Sequence, residues 1–89
     1  MNRAKMTKKF FFDLMESRID EIEKEVEEMK EKNEKEGYTH EVSYKHTTIH
    51  ARLLEIDMLV FEAREIDWFK YCDLNRRIHE LLDKANLSK

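Results

Sequence analysis

Between Val42 and Ala63 the apolar residues recur at an unbroken four-three spacing: Val42, Ile49, Leu53, Ile56, Val60 and Ala63, with His46 filling one slot. That spacing is the seam of a long amphipathic helix and leaves the chain few alternatives. A matching seam runs through Phe12, Met15, Ile19, Ile22, Val26, Met29 and Asn33, and Gly37 lies between the two. The seams pair antiparallel at one offset: Asn33 with Val42, Met29 with His46, Val26 with Ile49, Ile22 with Leu53, Ile19 with Ile56, Met15 with Val60 and Phe12 with Ala63. This offset leaves only Gly37 and Tyr38 as the turn, a link short enough for antiparallel neighbours. The predicted object is an all-α helical hairpin, coiled-coil-like, with a short third helix at the C-terminus and a tendency to assemble into a bundle.

Composition agrees with that reading. The 89 residues contain no Pro and a single Gly, so the turn punctuation of sandwiches and barrels is missing, while Glu, Lys, Leu and Met favour helix. Charged residues make up 42% of the chain, yet 40% are apolar and fall in register, which argues against disorder except at the ends. Residues 1–6 show no periodicity and are expected to be disordered, leaving 7–86 as a single hairpin domain. Thr7 is the expected N-cap, with Met6 before it and Phe11 after it at the spacing of a hydrophobic staple. On the outer face of the first helix, Asp20 with Lys24, Glu28 with Lys32 and Glu31 with Lys35 read as surface ion pairs. Residues 38–48 are indifferent helix formers in which Thr39 or Ser43 can serve as the cap. From Ile49 nothing stops the pattern before about Ala85, although Asp73 and Asn75, two poor helix formers flanking Leu74, predict a bend there.

Charge is unevenly placed. The first twelve residues carry Arg3, Lys5, Lys8 and Lys9 and no acid, whereas residues 13–36 hold eleven acids against five bases, within a net charge of −3. The richest apolar run, Leu53 to Phe61, is broken by Glu55 and Asp57 and falls far short of a membrane span. The basic start leads into only three Phe residues before Asp13, too little for a signal peptide, and one Cys permits no internal disulfide. A cytoplasmic protein without membrane attachment is the expectation.

A two-helix hairpin cannot cover everything apolar in this chain. At 100° per residue, Leu54, Met58, Phe61, Trp68 and Cys72 form a second stripe roughly 140° from the seam, and Leu59 with Ile66 forms a third. Beyond Trp68 the first seam resumes as Tyr71, Leu74, Ile78, Leu81 and Ala85 with no hairpin residue opposite. Exposed apolar area on this scale is uncommon on soluble monomers. The predicted interface is therefore Leu54, Met58, Phe61, Trp68, Cys72, Leu74, Ile78 and Leu81. Its expected occupant is a second copy in a dimer or tetramer; a fold-back of the C-terminal segment or a different protein are the alternatives.

Motifs for chemistry are missing. His46 and His50 lie four apart with His40 nearby, but no Cys or second helical His pair completes a tetrahedral site. The bundle-type carboxylate site needs Glu three residues before His, and those positions hold Arg76, Thr47, Ser43 and Gly37. His79 and Glu80 begin a metalloprotease-like string that ends in Asp83 where a second His is required. Cys72 beside Trp68 reads as a packed thiol rather than a nucleophile. No catalytic residue, metal or cofactor is expected, and the function read from the chain is that of a non-catalytic interaction or regulatory protein. Its size and scarce Gly and Pro suit a phage or bacterial accessory factor that binds and modulates a host macromolecule. The alternative is a nucleic-acid-associated hairpin whose basic pole gathers Lys5, Lys8, Lys9, Lys70, Arg76 and Arg77 near Phe10, Phe11, Trp68, Phe69 and Tyr71. A pI of 5.8 and the nearby Asp13, Asp67 and Asp73 weigh against it.

Overall fold

The computed structural model describes the backbone of residues 3–87 and the side chains of residues 9–87. Three helices follow one another: α1 (Arg3–Glu36), α2 (His40–Glu62) and α3 (Trp68–Lys84). The first two form the predicted antiparallel hairpin, and its register is the predicted one. Glu25 should lie opposite position 50 and is bound by Lys45 and Arg52 on either side of it; Lys32 should lie opposite position 43 and pairs with Glu41. Phe12, Met15, Ile19, Ile22, Val26 and Met29 of α1 are buried against Val42, Ile49, Leu53, Ile56 and Val60 of α2. A fully buried aliphatic side chain contributes about 1.5–3 kcal/mol, so this seam carries the fold.

The turn is built locally. Gly37 is the one residue at positive φ among those described, at 82°, a conformation that costs a residue with a Cβ about 1 kcal/mol or more. Its N–H donates to the Asn33 carbonyl and so closes α1. Thr39 then caps α2, its hydroxyl accepting from the Val42 N–H at 3.2 Å. Residues 40–48 are therefore helix, not loop.

Two boundaries differ from expectation. The backbone of α1 is helical from Arg3, so Thr7 lies inside the helix and is not its N-cap. The Arg-Ala-Lys-Met run that precedes Thr7 consists of strong helix formers with nothing to stop them. The expectation for Met1 and Asn2 lies outside the described residues. The second difference matters more: α2 ends at Glu62, and the chain turns at Ala63–Asp67 rather than bending near Asp73. Ala63 closes α2 and Asp67 opens the next helix. Its backbone is extended and its carboxylate accepts the Lys70 N–H at 3.1 Å, which starts a new helix. Arg64 secures the other side, donating to the Phe61 carbonyl at 2.8 Å and stacking over the Phe61 ring at 3.9 Å.

Folding back at this corner lays α3 into the groove between the first two helices, where Leu74, Ile78, Leu81 and Ala85 are buried. Asn75 donates to Asp57 of α2 at 2.9 Å, while Arg77 binds Asp20 of α1 at 2.6 Å and Lys70 binds Glu16 at 3.6 Å. The resumed seam is thus core. Leu74, Ile78 and Leu81, expected at an intermolecular interface, are covered by their own chain, because a corner at residue 63 brings them back over the hairpin. The result is an elongated three-helix bundle of 54 × 17 × 15 Å.

Candidate interaction surface

With the seam and its continuation buried, the second stripe remains. Leu54, Met58 and Phe61 of α2 are 43%, 65% and 49% exposed, and Trp68 at the start of α3 is 57% exposed. The α2–α3 corner draws the two helices' shares of the stripe together. The Phe61 and Tyr71 rings meet edge-on at 6.2 Å and the Trp68 and Tyr71 rings at 5.4 Å, so the aromatics form a joined cluster across the corner. Cys72 is exposed beside it, a free thiol at the surface rather than the packed one expected. Five of the eight predicted interface residues, Leu54, Met58, Phe61, Trp68 and Cys72, therefore share one outer face. Tyr71 completes the cluster, and the sequence assigned it to the resumed seam because its α3 position lies between the buried edge and the exposed stripe.

The described cations of the basic pole each lie beside a carboxylate. Lys9 pairs with Asp13, Lys70 with Glu16, and Arg76 with Asp73 and Glu80 on its own helix. Arg77 sits among Glu16, Asp20 and Glu23, and hydrogen bonding to Asp20, together with the surrounding acids, raises its pKa further against partial burial. The side chains of Lys5 and Lys8 lie outside the described residues. Phe10 and Phe69 are 66% and 85% exposed, whereas Phe11 packs against the core. Two charges on the outer face of α1 also reach across to other helices. Asp20 serves Arg77 and Lys32 serves Glu41, so the expected pairs Asp20–Lys24 and Glu28–Lys32 give way to contacts between helices.

Glu25 is the most structurally engaged carboxylate. Burial pushes its pKa up, but hydrogen bonds from Arg52 and Lys45 and their positive charges more than offset this, and the net shift is downward. His46 and His50 stack loosely, ring centres 6.3 Å apart, and among the described residues no group of three or more His, Cys, Asp or Glu is arranged to hold a metal. A hollow of about 360 Å³ between α1 and α2 is lined by Ser17, Arg18, Glu21, Arg52 and Glu55, with no His to activate the hydroxyl. No helix among the described residues is long and apolar enough to cross a membrane. No family model, curated protein or solved structure matches this chain.

Proposed function

We propose that this chain is a non-catalytic interaction protein that regulates another macromolecule by binding it through apolar contacts on the α2–α3 face. The observation that carries the reading is the joined Phe61–Tyr71–Trp68 rings at the α2–α3 corner, with Phe61, Trp68 and, one turn back along α2, Met58 left exposed after the chain has used its third helix. Protein contacts draw on large aromatic and Met side chains of this kind. A small, charged, helical adaptor also suits a phage or bacterial accessory factor acting on a host machine. The nucleic-acid reading has less support, because its described cations are each held by carboxylates.

The test compares two baits in extract from the native host, wild type and Phe61→Asp. Proteins retained by wild type and lost from the variant, with both baits equally helical by circular dichroism, are the expected result. Identical sets on both baits would remove this face from the function.

A further inference from the structure

Six carboxylates among the described residues are half-buried, and five of them are matched. Glu16, Glu23 and Glu25 meet Lys or Arg of another helix, Asp73 meets Arg76, and Asp67 caps α3. Asp57 is the sixth. It accepts the neutral Asn75 amide at 2.9 Å and forms no salt bridge with any described cation. Arg76, next to Asn75 in sequence, holds Asp73 and Glu80 instead, and Arg64 at the corner lies over the Phe61 ring.

Asp57 also stands within the exposed stripe. Leu54 precedes it by three positions and Phe61 follows it by four, so the two flank it on one side of α2. In the other two helix pairs of the bundle, an acid so placed sits between cations seven positions apart on the helix packed beside it. Glu25 has Lys45 and Arg52 of α2, and Glu16 has Lys70 and Arg77 of α3. For Asp57 this chain supplies no such helix.

We infer that the macromolecule bound by this face is a protein that presents a basic amphipathic helix, with a Lys or Arg beside its apolar stripe to pair with Asp57. The inference rests on the interaction reading above and names the chemistry of its partner. Covering the stripe takes water from Asp57, and a carboxylate desolvated without a counter-charge opposes binding. A cation delivered by the partner removes that penalty, and its apolar stem lies along Leu54 and Phe61 while its charged end reaches the carboxylate. The surround has the same sign. Glu62 of α2, Glu65 of the corner and Asp83 of α3 are exposed, and they attract a basic segment and repel an acidic one. A helix laid against two others by an apolar stripe with cations at its edge is also how α3 is held on α1 and α2.

Two synthetic amphipathic helices of α3's length, 17 residues, test this. They share one Leu stripe, and the polar positions beside it are Lys in one and Glu in the other. Trp68 emission reports occupancy of the face. The Lys peptide should shift it to shorter wavelength with a Kd in the micromolar range, and the Glu peptide should leave it unmoved at the same concentrations. Asp57→Asn, which keeps an oxygen for the Asn75 amide, should weaken the Lys peptide about tenfold, the effect of one charge-assisted hydrogen bond. Glu31→Gln on the exposed side of α1 changes net charge by the same amount and should not weaken it. No binding of the Lys peptide, equal binding of the Glu peptide, or an Asp57→Asn affinity equal to that of Glu31→Gln overturns the inference. Extract from the native host separates this from the wider reading: if Phe61→Asp loses a bound protein that Asp57→Asn retains at the wild-type level, the interaction reading stands and only the basic character of its partner fails.

Discussion

Glu25 joins the two arms of the hairpin, accepting from Arg52 at 2.9 and 3.0 Å and from Lys45 at 3.4 Å. Each of its partners comes from α2, so the carboxylate reports on the hairpin alone. Its pKa lies below the ordinary value of 4.5, which means that the unfolded chain takes up this proton more readily than the folded one. The stabilisation is therefore fully present above about pH 4.5 and disappears as pH falls through the lower folded value. Glu25→Gln should cost about 0.5–1 kcal/mol at neutral pH, given that the pair is partly solvated. In urea melts the difference between variant and wild type should shrink as pH is lowered from 4.5 through the folded value; a constant difference would mean that the charge is irrelevant there.

The corner at Ala63–Asp67 decides what kind of molecule this is, and it depends on few side chains. Asp67 supplies the cap, and Leu74, Ile78 and Leu81 supply the burial that holds α3 down. Asp67→Ala should cost about 1 kcal/mol, the usual value of a lost N-cap. Ile78→Ala should cost more, about 2–5 kcal/mol, because it leaves a cavity in a fully buried position. Both losses should appear in hydrogen exchange as faster opening of α3 at little change in the α1–α2 hairpin, whose seam neither residue belongs to. Equal acceleration across all three helices would show that the bundle opens as one unit. The location of this corner was hard to read, since Ala63-Arg64-Glu65-Ile66 contains neither Gly nor Pro and continues a helical pattern as readily as it ends one. Asp67 has a capping side chain, but Asp73 and Asn75 carry the same local signal and drew the expected bend to themselves; only the burial gained by turning at the first of them separates the sites.

As a whole the protein is a rod. Its radius of gyration is 15.1 Å, where about 12 Å is typical of a compact chain of this length, and the 34 residues of α1 span its long dimension. A rod of three helices has a high ratio of surface to core, and a stripe left open on it favours a further layer. Trp68 is the only tryptophan and lies in that stripe, so its fluorescence reports whether the face is covered. Emission should move to shorter wavelength when the macromolecule proposed above binds there. Emission that stays at the wavelength of a solvated indole on binding would mean that this face is not the one used.

What the sequence determined by itself is the hairpin. Periodicity, one glycine at the only described position with positive φ, and a cap at Thr39 or Ser43 all act within a few residues, and the offset of two heptad seams follows from the length of the turn between them. Much of the candidate face was legible for the same reason, since Leu54, Met58 and Phe61 share a helical stripe whatever surrounds them. The fate of Leu74, Ile78 and Leu81 was not, because an amphipathic face records only that it must be buried and not by which chain. Only the tertiary structure decided that α3 returns to its own hairpin, where a groove of the right length and the acids Glu16 and Asp20 wait for Lys70 and Arg77. That choice depends on contacts between residues more than fifty positions apart, and local spacing carries no information about them.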